Sequence, residues 1–587
     1  MTANEGRPPI RRISELDDED LPKWLALGLL CTLADGDDLY VSARQHARLQ
    51  LLSKALPPVS QFSHPTSLFA PETIVALDDV TTVSSSPRSP IEEEAATSVF
   101  AQLLPKWSET LSRGPGHSKA EPSDYMSLGN LDLVGSSPAL LDQIRTAQTR
   151  VENLAGSHVS QFSRSAHYMG SKVSLAPFLN EILHAYLPPE SAVVDLMCGS
   201  GAAAGAFSRY WSTVASDAQS FSQRLAVVQG GGMTHERARE TAQEVLVRAR
   251  SHYESLPDFV HTEIKKEQGF LAAELTPDTL QSLSTWIAGY PRAGDGAVSG
   301  NPFDSLLTFR RESPSLAPYL LFTAYYGNLF IGVRQAAEID SLRYSIDQLE
   351  NETDRAWALG ALICAVSSCA FTYGGHFAQP KLDPKNPSKL GEHANEMLVQ
   401  RGLSVSHEFF VRLTNLGAES SKAANAIEAI EGPWEIALQE AAIRLLGRPV
   451  CVYFDPPYTR DEYSRYYHVL ETLVRYQYPL VSGKASIPKP GDAGRFMSPF
   501  CTRSVDQVES LLARVIDQCL SLGWSCLWSY SNTGVASISQ VIGRLQSPAP
   551  GVELFAMDHV YKAQGRHKAK AVTEYAVLIC PQKVTER

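Results

Sequence analysis

A doubly wound α/β sheet is the fold this sequence predicts, and three observations predict it. Residues 192–197 and 213–216 read as short apolar strands on either side of a Gly-rich turn and a helix, which is a β-turn-α-β unit. The run "PVCVYF", ending at Phe454, stops at a rigid polar corner made of Asp455, Pro456, Pro457 and Tyr458. Two later apolar runs, "WSCLWSYS" and "TEYAVLIC", supply further strands. The expectation is a Rossmann-like sheet carrying a mainly helical insertion, preceded by an accessory region.

In chain order, residues 1–150 form that accessory region: a mainly helical stretch over 21–56, then a hundred residues broken by Pro, Ser and Gly. It carries no catalytic motif and is a candidate docking surface for a protein partner. Residues 151–235 hold the first part of the sheet. Residues 236–440 are mostly helical in pattern and are the candidate target-recognition insertion. Residues 441–587 return to the sheet with the polar corner and the later strands.

Composition narrows the class. At 587 residues the chain is long enough for more than one structural unit. A net charge of −12 excludes a generally basic coat, so a polyanion partner must be held by a local patch. The nine cysteines include no CxxC pair, which argues against a zinc site or a disulfide framework and fits a reducing cytoplasm. The N-terminus has no apolar core of a signal peptide. The uncharged run "WALGALICAVSSCAFTYGG" has the length of a membrane span but is diluted by small polar residues and has no basic flank; it reads as a helix buried on all sides. No metal site and no membrane association are expected.

In "DLMCGSGAAAGAF", Asp195 closes a strand, Cys198 sits in the turn, and Gly199 and Gly201 allow the backbone to approach a ligand at the start of a helix. Asp217 follows at the tip of the second strand, where the ribose hydroxyls of an adenosine cofactor would lie. The spacing G-x-G-x-x-x-G differs from the dinucleotide pattern. S-adenosylmethionine, which has no pyrophosphate, needs only the close approach and welcomes an acid near its charged end. A Gly-rich turn in an unrelated α/β protein has the same look, so the polar corner must decide.

An exocyclic amine on a nucleobase is a poor nucleophile because its lone pair is delocalised into the ring. Asp455 offers a carboxylate and Pro456 a carbonyl to accept its N–H groups, and two successive prolines fix the backbone that holds them. Tyr458 offers an aromatic face to a base taken out of its stack. The same corner serves adenine or cytosine. No Pro-Cys nucleophile accompanies it.

With these residues in view, the chain from about 163 onward resembles the Dam-like adenine-N6 DNA methyltransferases, whose motifs run in the order X, I, target recognition, IV. "YMGSK" is similar to motif X, "DLMCGSG" to motif I, "SDA" to motif II and "DPPY" to the catalytic motif IV. "SYSNTG" from Ser529 and "EYAVLI" from Glu574 resemble the later strand motifs. The resemblance implies a Rossmann-like S-adenosylmethionine-dependent methyltransferase sheet, a cofactor pocket lined by Tyr168 and Lys172, a flipped adenine in DNA as substrate, and a bacterial cytoplasmic enzyme of a restriction-modification or phage-defence setting. Motif I in this family carries Pro-Phe after the acid, whereas Leu196 and Met197 stand here.

Two cationic stretches are candidates for holding the nucleic acid. Behind the corner, Arg460, Tyr463 and Arg465 interleave cations with an aromatic. Before the last strand, "YKAQGRHKAK" includes Arg566 and Lys568 and is the most basic short window of the chain. A buried helical stripe and a solubilising hairpin tip are the competing readings of these two stretches.

Overall fold

The computed structural model of the chain describes residues 10–12, 33–35, 38–42, 140, 142–143, 172–173, 175–293, 301–303, 319–382, 390–420, 425–457, 462–482, 485–547, 550–561 and 570–581. Its centre is a seven-stranded sheet: β1 (Ala192–Asp195), β2 (Ser212–Asp217), β3 (Ile427–Glu431), β4 (Val450–Phe454), β5 (Ser525–Ser531), β6 (Gly551–Tyr561) and β7 (Lys570–Cys580). The spatial order is β6-β7-β5-β4-β1-β2-β3, and only β7 runs against the rest. The chain winds outward from β1 to β3 and then restarts at β4 on the other side of β1. The crevice beyond the carboxyl ends of β1 and β4 is therefore a topological switch point, where open α/β sheets bind ligands.

The central strands are apolar on both faces because helices cover both. Val194, Val452 and Trp528 pack on one side with Ala437, Leu438, Leu512 and Ile516. Val193, Cys451, Tyr453 and Leu527 pack on the other with Phe178, Leu179, Ile182 and Leu183 of α1 (Ala176–Tyr186). Alternate residues of one strand thus serve two cores.

The helices that position the site follow in order. They are α2 (Ala202–Phe207), α3 (Ser220–Val227), α4 (His235–Glu254), α5 (Val333–Asp347), α6 (Glu352–Cys369) and α7 (Val405–Ser420), then α8 (Trp434–Arg444), α9 (Tyr463–Tyr466), α10 (His468–Arg475) and α11 (Val505–Ser521). Helices α4 to α7 belong to the insertion, and its apolar core is continuous with Phe221 and Leu225 of α3 and with Val469, Leu470 and Leu473 of α10. Helix α6 carries Trp357–Cys369 of the uncharged run, and Gly360 on it lies so close to α3 that an added Cβ would sit 2.5 Å from Val228 Cγ1. No helix among the described residues is long and apolar enough to cross a membrane.

Polar contacts fasten the insertion to the helix behind the corner. Arg343 of α5 donates from Nε to the Leu473 carbonyl at 3.0 Å and from Nη2 to the Val474 carbonyl at 3.1 Å, occupying acceptors that the end of α10 leaves open. Asp340 accepts from the backbone N–H groups of Phe322 and Thr323 and from the Tyr476 hydroxyl.

Three features differ from the sequence reading. Strand β3 lies inside the stretch read as mainly helical, because five residues ahead of a Gly-Pro pair give too short a period to register. Strand β6, Gly551–Tyr561, was not anticipated. In the accessory region, Ile10–Arg12, Leu33–Asp35 and Asp38–Ser42 form a small antiparallel sheet, and the last two of these strands fall within the stretch over 21–56 that was expected to be mainly helical. Asp35 and Asp38 are register partners there, a pairing that the helical periodicity hid.

Candidate active site

A cavity of about 720 Å³ opens at the switch point, within the range of small-molecule and cofactor sites. Its floor comes from the β1-α2 turn. Cys198 donates its backbone N–H to the Ser216 carbonyl at 2.9 Å, which ties the turn to β2. Gly199 adopts a left-handed φ of 51° and donates its N–H to Asp217 Oδ2 at 3.0 Å. Asp217 Oδ1 accepts from the Gln219 N–H at 2.9 Å. The acid at the tip of β2 therefore braces the turn while presenting its remaining lone pairs to the cavity. Burial raises its pKa to about 6 against these backbone hydrogen bonds.

Gly201 has a different reason from the one its motif suggests. Its φ is 75°, and an added Cβ would lie 2.4 Å from Ala226 Cα, so the glycine permits α2 and α3 to pack. Asp195 is also more structural than expected: it is fully buried, and Oδ2 accepts the Ala204 N–H at 3.0 Å in the first turn of α2. Complete burial pushes this carboxyl well above the usual range; the Ala204 N–H opposes the shift, and the charges of Asp455 and Asp217 add to it. Burial likewise pushes the Cys198 thiol up.

The corner after β4 supplies the opposite wall through Asp455, Pro456 and Pro457. Lys172 Nζ stands 3.2 Å from Asp455 Oδ1 and 3.5 Å from Glu574 Oε2, so this lysine faces the acid of the corner as well as the cavity. Tyr463 of α9 lines the same cavity, whereas Arg465 turns beside the Tyr466 ring, 5.7 Å from its centroid. His376, on the hairpin of Thr372–Tyr373 and His376–Pro380, meets the Tyr466 ring edge-on at 5.0 Å. Tyr168, Tyr458, Arg460, Arg566 and Lys568 lie outside the described residues.

The remaining walls were missed by the sequence reading. Residues 432–435, directly after β3, bring Trp434 and Glu435 beside the β2 acid, since Asp217 and Glu431 are register partners. Trp434 is 6 % exposed, and its indole N–H has no hydrogen-bond partner among the described residues. The signal was a five-residue strand followed by Gly-Pro, read as part of a helical region. A strap over 491–501 completes the enclosure with Phe496, Pro499 and Phe500. It is tethered to α9 by an Arg495 to Glu462 ion pair at 2.9 Å and by the Ser464 hydroxyl donating to the Phe496 carbonyl at 2.6 Å.

These surfaces fit S-adenosylmethionine as a ligand. Leu196, Met197, Trp434 and Phe500 form an apolar slot with one orphaned donor, suited to a purine ring. Asp217 suits ribose hydroxyls, and Asp455 brings a carboxylate to the corner wall, suited to a cationic sulfonium. No group of His, Cys, Asp and Glu among the described residues has the arrangement to hold a metal ion.

No family model matches the chain. Over 176 residues it is 26% identical to the Type II methyltransferase M.FokI of Planomicrobium okeanokoites, a match covering 28% of this chain and 22% of that protein. The chain thus spans about a fifth of the length of that curated relative.

Proposed function

We propose that the chain is an S-adenosylmethionine-dependent DNA methyltransferase acting on the N6 amino group of adenine. The observation that carries this reading is the placement of Asp455-Pro456-Pro457 at the end of β4, on the wall of a cavity whose other end is built from Asp217, Trp434 and the Gly-rich turn. The sheet order and the likeness to a Type II methyltransferase support it.

S-adenosylmethionine, when bound, supplies an electrophilic methyl group on a sulfonium. The chain's own residues prepare the acceptor. Asp455 and the Pro456 carbonyl accept the two N–H groups of the amine, which localises its lone pair for attack. Lys172 holds one oxygen of Asp455, so the carboxylate keeps one orientation. After transfer the methylated amine must release a proton, and Asp455 is the carboxylate placed to take it. Tyr458 would stack the extruded base, and Arg460, Arg465, Arg566 and Lys568 would neutralise phosphates. We place the activity in DNA modification of a restriction-modification or phage-defence system, in a bacterial cytoplasm.

Incubation with mixed-sequence DNA and S-adenosylmethionine, followed by nucleoside mass spectrometry, tests the reading. N6-methyladenine is expected. N4-methylcytosine would move the acceptor to the other amine, and no methylated nucleoside in DNA or RNA would overturn the proposal.

A further inference from the structure

Among the described residues three cations line the cavity, and two of them are engaged. Lys172 faces Asp455 and Glu574, while Arg495 gives Nε and Nη2 to Glu462 and Nη1 to the Pro488 carbonyl at 2.7 Å. The third is Arg475, the last residue of α10. Its Nε donates to Glu471 Oε1 at 2.6 Å, one turn earlier on the helix, and its two terminal nitrogens have no hydrogen-bond partner among the described residues. An arginine in the last turn of a helix commonly serves the open carbonyls there. Here Arg343 already serves those of Leu473 and Val474, so Arg475 is not needed for that task.

The guanidinium is built into its place. Glu471 is 1 % exposed, and its Oε2 accepts the Phe221 N–H at 3.1 Å, at the start of α3 and four residues beyond the acid of β2. Gly494 of the strap closes over the pair with a left-handed φ of 78°, and an added Cβ there would lie 2.5 Å from Arg475 Nε and 2.6 Å from Glu471 Oε1. A buried acid thus fixes one nitrogen and a glycine covers it, while the terminal fork is left unspent in a cavity that also presents Asp217, Glu435 and Asp455. A fork fixed before binding loses little freedom when it takes a two-oxygen anion side by side. We propose that Arg475 anchors one oxyanion at the cavity: the carboxylate of the cofactor's amino-acid end or a phosphate of the nucleic-acid strand. This rests on the functional reading above and deepens it by giving the site an anion anchor on α10.

The test compares the full wild-type chain with a double variant, Arg475→Gln and Glu471→Gln, which removes the buried acid together with its cation and keeps an oxygen for the Phe221 N–H. Calorimetry gives the affinities for S-adenosylhomocysteine and for methylthioadenosine, which keeps the adenosine thioether and lacks the amino-acid end. The transfer assay on mixed-sequence DNA gives KM for DNA over a range of salt. If the anion is the carboxylate, S-adenosylhomocysteine affinity falls about tenfold to a hundredfold, the scale of hydrogen bonds to a charged group, and methylthioadenosine affinity holds. If it is a phosphate, both affinities hold, KM for DNA rises by a similar factor, and the slope of log KM against log salt declines by about 0.9. Should the double variant fold poorly, Arg475→Lys keeps a cation beside Glu471 without the fork and must show the same selective loss on a smaller scale. Unchanged affinities with an unchanged KM, or an equal loss for both adenosine ligands, overturns the proposal and leaves the functional reading standing. A wild type that binds neither ligand and methylates neither DNA nor RNA overturns the functional reading and this inference together.

Discussion

Glu338 in the insertion and Asp195 beneath the cavity are both completely buried acids, and their surroundings differ. Glu338 faces the guanidinium of Arg334 and accepts the Ser406 N–H at 3.0 Å and the Ser406 hydroxyl at 2.9 Å. Its neighbour Glu267 accepts the Val333 and Arg334 N–H groups at 3.0 and 2.9 Å, where α5 begins and its dipole is positive. Asp195 accepts one backbone N–H, its Oδ1 has no hydrogen-bond partner among the described residues, and the charges that bear on it are those of two other acids. Both oxygens of Glu338 and of Glu267 are thus partnered. The acid beneath the cavity is left one hydrogen bond short, and burial holds its carboxyl well above the usual range.

If that contrast is right, substitutions in the two regions damage different properties. The largest expected effect is at the corner: Asp455→Asn should lower the methyl-transfer rate by about 10³-fold with little change in the unfolding midpoint, checked by single-turnover assay and thermal melting. In the insertion the balance reverses. Arg334→Met leaves Glu338 buried without its cation and should cost about 3–5 kcal/mol of stability, read from urea unfolding, while residual folded protein keeps its cofactor affinity.

A third substitution separates fold from ligand within the Gly-rich turn. Gly201→Ala puts a Cβ against Ala226 at a left-handed φ and should destabilise by about 3 kcal/mol even without cofactor. Were the glycine there for the ligand, only cofactor affinity would fall. The smallest effect is a pH dependence. Asp217 has a pKa raised from 3.8 to about 6, so it is ionised above that pH and neutral below it. An ionised acid is the better acceptor for ribose hydroxyls, so cofactor affinity should be constant above about pH 6 and fall by up to about tenfold per unit below it. The sign for the unliganded fold is opposite: stability declines as pH rises between the two values. Asp217→Asn should flatten the binding profile.

The sequence made much of this architecture legible where pattern and chemistry coincide. Strands β1 and β2 are short runs that end in acids and β4 stops just before one, and these acids line one cavity with Gly199, Pro456 and Pro457. What it could not show was which neighbour each group meets. Gly201 answers to Ala226, Lys172 to Asp455 and Glu574, and Trp434 to a strand too short to stand out, all contacts set by long-range register. The continuity of the insertion core with α3 and α10 was hidden for the same reason: an amphipathic pattern says that a face is buried and not against what.

The measurement that bears most directly on the central claim combines two readouts on the same preparations of wild type and Asp455→Asn: the S-adenosylmethionine dissociation constant and the single-turnover rate of methyl transfer to DNA. The account predicts dissociation constants within a few-fold of each other and transfer only by wild type. Transfer by the Asn variant at near wild-type rate, or loss of cofactor binding together with transfer, would contradict a site in which the corner orients the acceptor and the Gly-rich end holds the cofactor.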